Sequence, residues 1–493
     1  MDRRSFIKNA SIIGLTSTFV SKSRSLNVFN HIGRQTNEYT RSSIHNIRMR
    51  NISIKLLDIK GKPLKHKTVE IEQLSHDFLF GESNMNMDSL FRMGDSGHEK
   101  LKVYRKLFSE ILNALNATCY WTERPKNNMA KTEEFQGEIN MDGFDNSVNW
   151  ALSEGLTVKG HPLFWPVPKA IPKWMNKYDY QTQLKFLEIR LRSIVSRYRG
   201  RVKLYDAVNE FLWEPALKNL RKRVWPYIET EENIVEYIAF VLKICREEDP
   251  DACFLINDYG LERNHNEPVQ LAANDNDVSA IQYNRLIGND GIEVTALRQR
   301  NRYLNVVKKL LDMGYPPSAI GMQGHSGIVT SEEQWRLYDE MFQVGLPLHI
   351  TEFWAHENDF GNLLTKLDVK EKQEIIAEYV VQYMRNAFAH PAIDAFFFWG
   401  FMGMGIKFKD QLSPSYELLP VFDKVKNLIK KEWHTNKILK TDSEGNISFR
   451  GFLGNYTLRY SMKSDTSSFN IGIPFNLCKD SSEILTLNTL VNN

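Results

Sequence analysis

Cysteine is scarce in this chain: Cys119, Cys245, Cys253 and Cys478 are the four among 493 residues. Their spacing fits no metal-ligand pattern and their density is far below that of a disulfide scaffold, so free thiols are expected and no metal site is read. Excess charge of one sign is also missing. A formal net charge of +3 with 25% charged residues leaves no Arg/Lys stripe interleaved with stacking aromatics, which argues against nucleic acid as a partner. No run beyond the amino terminus is long and apolar enough for a membrane helix, and no internal repeat is found. What the chain does hold is a succession of short apolar runs, each closing on polar or aromatic residues.

Those runs lie near residues 80, 117, 160, 206, 255, 321, 350 and 397, separated by amphipathic helical stretches. Strands alternating with helices pair in parallel, and eight of them close into a ring, so the fold class is α/β, a (β/α)8 TIM barrel. Two further strand-like regions flank it. Ile52 to Ile71, around a Gly61-Lys62-Pro63 turn, reads as a hairpin, and Gly445 to Leu458 as more strand. Neither can bury itself alone, and pairing them into one small accessory β module solves both exposures.

The domain reading is an export signal over residues 1–25, a linker over 26–45, an N-terminal β segment over 46–75, the barrel over 76–435 and a C-terminal β segment over 436–493. The signal is read from Arg3-Arg4-Ser5-Phe6-Ile7-Lys8 and the mildly apolar stretch after it, which have a twin-arginine-like pattern. It implies a periplasmic or extracellular protein without a membrane span. A monomer is expected.

In such a barrel, side chains at the carboxyl ends of the strands converge on one mouth. Tyr-Asp-Ala-Val-Asn-Glu closes on Asn209 and Glu210, and Leu-His-Ile-Thr-Glu closes on Glu352. A carboxylate is rarely left at the end of a buried strand without a partner or a task. Two of them make the pair that glycoside hydrolysis requires, one acid and one base or nucleophile. Other runs deliver His161 and Trp165, Asn257 and Tyr259, Gln323 and His325, and Trp399 to the same end. A core has no reason to sort its polar groups in this way, whereas a sugar-binding site does.

Over residues 75–432 the chain resembles glycoside hydrolase family 10, the retaining endo-β-1,4-xylanases. Gly160-His161-Pro162-Leu163-Phe164-Trp165 is similar to the family's Gly-His-Thr-Leu-Val-Trp, and Tyr205-Asp206-Ala207-Val208-Asn209-Glu210 to its Trp-Asp-Val-Val-Asn-Glu. Asn257-Asp258-Tyr259, Gly321-Met322-Gln323-Gly324-His325 and Ile350-Thr351-Glu352 follow in the family's order. The resemblance implies Glu210 as general acid/base and Glu352 as nucleophile. It further implies sugar contacts from His161, Trp165, Asn209, Asn257, Tyr259, Gln323, His325 and Trp399. The implied substrate is a polysaccharide or oligosaccharide, and no cofactor is called for.

Three departures bear on specificity. The family's Glu-Asn-x-x-Lys-Trp, which holds the glycone side, reads Asn116-Ala117-Thr118-Cys119-Tyr120-Trp121 here. The Leu-Asp after the nucleophile, whose aspartate orients the histidine matched by His325, is Phe353-Trp354, so His325 needs another partner. Beyond Trp399, an Asp and a second Trp give way to Phe401-Met402-Gly403-Met404-Gly405. The expected function is therefore retaining, endo-acting cleavage of β-1,4 bonds in xylan or a related plant β-glycan. The alternatives are a hydrolase of a different or decorated β-glycan and a non-hydrolytic carbohydrate-binding barrel. A long polar segment, residues 263–302, reads as a lid or part of the leaving-group site, and equally as a solvated insertion.

Overall fold

The computed structural model describes residues 38–121, 131–133, 135–167, 170–213, 216–219, 229–269, 286–288, 290–325, 327–410, 413–463, 468–481 and 484–488. The export signal lies outside the described residues, as do residues 270–285 and 289 of the polar segment. The chain enters through a helix, Glu38–Arg48, where composition predicts a linker and then strand. This helix lies along the long helix Val369–Ala389: Ile44 is buried and Ser43 Oγ donates to Ala389 O at 2.6 Å. Among the described residues, no helix is long and apolar enough to cross a membrane.

Two strands follow, β1 (Met49–Leu57) and β2 (Thr68–His76), and then the eight strands of the barrel. These are β3 (Leu79–Ser83), β4 (Ala114–Thr118), β5 (Thr157–His161), β6 (Leu204–Asn209), β7 (Cys253–Asp258), β8 (Ala319–Met322), β9 (Leu348–Phe353) and β10 (Ile393–Phe398). They pair in parallel, each with its sequence neighbours, and β10 closes on β3. Leu79, Ala114, Leu204, Leu255, Ala319, Ala395 and Phe397 pack together in the barrel interior. Phe397 fits because residue 81 is glycine; a Cβ there would sit 2.3 Å from its ring. Further along the strands the buried interior turns polar, with Asn116, Lys159, Asp206, Asn257 and Thr351. That change of character is where the site begins.

After a short hairpin, β11 (Ile406–Phe408) and β12 (Tyr416–Leu418), the chain adds β13 (Asn436–Lys440), β14 (Asn446–Phe452), β15 (Gly454–Lys463), β16 (Ser468–Leu477) and β17 (Ile484–Asn488). The accessory module is formed from both ends of the chain, but the hairpin reading of residues 52–71 is corrected. β1 pairs with β14 and β17, whereas β2 pairs with β13 and β15 in a second sheet. A hairpin would leave one apolar face open. Two sheets instead enclose Ile52, Ile54 and Leu56 of β1 with Val69 and Ile71 of β2 in one core, together with Tyr456, Leu458 and Leu477.

The module joins the barrel at the amino ends of its strands, away from the mouth. Arg48 donates to Phe388 O at 2.8 Å and His390 O at 3.0 Å, and also to Ile393 O, with its guanidinium over the Phe78 and Phe388 rings.

Candidate active site

Glu210 follows directly on β6, whose pairing with β7 is irregular between Asp206 and Val208. Such irregularities re-aim side chains at a sheet's rim. The backbone of Glu210 is left-handed, φ +52°, a conformation a non-glycine residue adopts only when its surroundings hold it there. Its N–H donates to Asn257 O at 2.8 Å. Its carboxylate accepts from Trp165 Nε1 at 2.8 Å and from Gln323 Nε2 at 3.0 Å.

Glu352 lies in β9, opposite a second irregularity in the pairing with β10. Asn257 Nδ2 donates to its Oε1 at 2.9 Å, His325 Nε2 lies 3.3 Å from its Oε2, and His161 Nε2 lies 3.8 Å from Oε1. Asn257 is held by Thr351, whose Oγ1 donates to its Oδ1 at 2.6 Å. Gly321 leaves room for that amide, since a Cβ there would fall 2.6 Å from Asn257 Oδ1. Asn257 Nδ2 also donates to Asn209 Oδ1 at 2.8 Å, and Gln323 Nε2 reaches the same oxygen at 3.4 Å. An unbroken hydrogen-bond chain thus runs from Glu210 through Gln323, Asn209 and Asn257 to Glu352.

The two histidines are set differently. His161 Nδ1 is 2.7 Å from Asp206 Oδ2, and Lys159 Nζ is 2.6 Å from the same oxygen, all three side chains being buried. Burial pushes the Asp206 carboxyl up, but the Lys159 charge and the His161 bond outweigh it and hold it below the usual range. An ionised Asp206 only accepts, so Nδ1 carries a proton and Nε2 faces Glu352. His325 is about a third exposed, at 32%. Burial alone would lower its pKa; the bond to Glu352 and the charges of Glu352, Glu262 and Glu210 raise it above the usual histidine value.

Aromatic rings form the walls. Trp399 meets the His161 ring edge-on at 5.1 Å, and Tyr120 lies 5.7 Å from His161 and 5.4 Å from Trp165. Tyr259 follows β7, its backbone fixed by Asp258 and Gln299. Asp258 also accepts from the N–H groups of Phe211 and Leu212, pinning the turn after Glu210.

At the first departure, Asn116 is fully buried and its amide has no hydrogen-bond partner among the described residues. Trp121 is buried with Nε1 donating to Glu133 at 2.7 Å, which leaves Tyr120 as the ring beside the histidine. At the second, Phe353 is core and Trp354 is 40% exposed, packed against Gly400.

The structure therefore joins Glu210, Glu352, His161, Trp165, Asn209, Asn257, Gln323, His325 and Trp399 by direct bonds or ring contacts. Sequence reasoning did not single out Asp206, Lys159, Thr351 or Glu262. Asp206 and Thr351 stand inside the very runs that deliver the two carboxylates, and a polar residue within a buried strand was the available signal.

Comparison with known proteins agrees with this arrangement. The family model for glycosyl hydrolase family 10 matches residues 121–274 and 272–406. Endo-1,4-beta-xylanase 1 of Arabidopsis thaliana is 24% identical over 90% of this chain and 39% of its own length. Anti-sigma-I factor RsgI6 of Acetivibrio thermocellus is 23% identical over 86% of this chain and 47% of its own. The chain thus spans less than half the length of these relatives. A solved family 10 structure from Paenibacillus barcinonensis, 18% identical, superposes with a TM-score of 0.50 over 72% of this chain and 95% of that one, which shows the shared fold. With the family match covering more than half of its length, and the matched region holding both strand-end carboxylates, the chain belongs to glycosyl hydrolase family 10.

Proposed function

We propose that the chain is a retaining glycoside hydrolase acting within β-1,4-linked xylan or a related plant β-glycan. The observation that carries this reading is the hydrogen-bond chain from Glu210 to Glu352. It holds two carboxylates at the barrel mouth in unlike environments, as two unlike roles require. Glu352, supported by Asn257 and His325, attacks the anomeric carbon and forms a covalent glycosyl-enzyme. Glu210 gives its proton to the leaving oxygen and then takes one from the incoming water. Asn209 has its Oδ1 engaged by Asn257 and Gln323; its Nδ2 is the group to donate to the sugar 2-hydroxyl, a bond that strengthens in the transition state. The Trp165, Trp399 and Tyr120 rings stack on the sugar. The xylan assignment is supported by relatives named endo-1,4-β-xylanases. Export through the amino-terminal signal belongs to the same proposal and suits a polymer too large to enter a cell.

The test is the stereochemistry of the first product from an aryl β-xylobioside, followed by proton NMR. The β-anomer appearing first supports retention by this pair. The α-anomer first would overturn it, and no product at all would favour the barrel that binds without turnover.

A further inference from the structure

Glu262 lies four residues past β7 and is 1% exposed. Its Oε1 accepts the N–H of Gly324 at 2.6 Å, while its Oε2, equally buried, has no hydrogen-bond partner among the described residues. Gly324 has φ +82°, and a Cβ there would approach Ile350 Cγ2 and Phe353 Cα at 3.1 Å, so only glycine makes this turn without strain. The next residue is His325, whose Nε2 lies 3.3 Å from Glu352 Oε2. The loop bearing Glu262 is itself anchored. Arg300, fully buried, donates to Leu261 O and Arg263 O at 2.8 Å each and pairs with Glu340 at 3.1 Å.

We propose that Glu262 is a positioning residue for His325: its carboxylate fixes the Gly324 turn, and with it the aim of the imidazole on Glu352. It acts through the histidine and does not touch the sugar. With Phe353-Trp354 after the nucleophile, the aim of His325 comes from the Gly324 turn and its partner is Glu352 itself. The charged groups facing His325 are Glu352, Glu262, Glu210 and Asp359; those facing Glu262 are His325 and Arg300, with the phenols of Tyr303, Tyr338, Tyr379 and Tyr383 around it. Burial pushes the Glu262 carboxyl up to about 7, with the Gly324 N–H, His325 and Arg300 pulling the other way. An ionised Glu262 and a protonated His325 therefore favour each other, each drawing the other toward its charged form. The kinetic consequence rests on Glu352 being the nucleophile; the state of the imidazole does not.

The experiment is an NMR titration of the His325 imidazole, assigned with His325→Asn, in the full chain and in Glu262→Gln, alongside pH profiles of kcat and KM. Glu262→Gln keeps an oxygen for the Gly324 N–H but loses the charge. The His325 pKa is expected to fall by about half a pH unit or more, and the kcat profile to move with it at little changed KM. Glu262→Ala, which also releases the turn, is expected to lower kcat on the order of tenfold or more. Identical His325 titration in Glu262→Gln and the full chain would overturn the proposal. Should Glu262→Gln not fold, Glu262→Asp decides: a shift of the His325 pKa and of the kcat profile at little changed KM supports the proposal, and both unchanged from the full chain overturn it. Absence of any glycosidase turnover would instead strike the functional reading and leave the titration intact.

Discussion

At Glu210 and Glu352 the division of labour is open to direct dissection. Glu352→Ala is expected to abolish turnover on every substrate. Glu210→Ala is expected to spare glycosylation by substrates with good leaving groups, which need no proton, and to be partly rescued by azide. Equal loss in both variants on all substrates, without rescue, would contradict the roles. Asp206 is a second test at this scale. Its carboxylate is shared by Lys159 and His161 with all three side chains buried, so Asp206→Asn leaves a buried ammonium uncompensated. A stability loss of about 3 to 5 kcal/mol is expected, read from denaturant unfolding; a loss below about 1 kcal/mol would mean that the pair is relaxed or hydrated. Glu210 and Glu352 were legible in the sequence because each closes an apolar run. Glu262 was not, because it stands in a loop and its meaning comes from a contact with Gly324, distant in sequence.

At the level of elements, eight barrel strands could be read from period and spacing alone, since a parallel buried strand is a short apolar run wherever it occurs. Pairing in the accessory module could not be read. The alternation Ile52, Ile54, Leu56 and Val69, Ile71 is the same whether β1 and β2 share a sheet or face each other across a core. Only β13 to β17, arriving hundreds of residues later, decide it. Strand β4 carries the specificity argument. Asn116 and Trp121 are buried and the Tyr120 ring stands beside His161 and Trp165, so under the proposed function stacking on Tyr120 takes the place of a polar grip on the glycone side. Losing two or three sugar hydrogen bonds at about 0.5 to 1.5 kcal/mol each weakens that subsite by roughly tenfold to a thousandfold. Linear xylooligosaccharides should then be poor substrates beside a substituted or different β-glycan. A kcat/KM on the order of 10⁶ M⁻¹s⁻¹ on plain xylooligosaccharides would refute the argument.

Across the whole molecule, module and barrel meet through an aromatic cluster in which His76 packs against Phe80, Phe388 and Phe452. Burial, aided by the charge of His434, pushes the His76 pKa down to about 3 from 6.5. The unfolded chain therefore binds more protons than the folded one between these values. The contribution is intact above pH 6.5 and is lost as pH falls toward 3. In unfolding midpoints measured across this range, the advantage of the unaltered chain over His76→Gln should shrink as the solution is acidified. A constant difference would show that His76 is not titrating in the folded core.

The central claim, that Glu352 is the nucleophile of a retaining hydrolase, is tested most directly by trapping. The full chain is incubated with a dinitrophenyl 2-deoxy-2-fluoro-β-xylobioside, digested and sequenced by mass spectrometry. The expected result is one disaccharide per chain, attached to the peptide carrying Glu352 and absent in Glu352→Ala. A label on any other residue, or the same label formed in Glu352→Ala, would contradict the account.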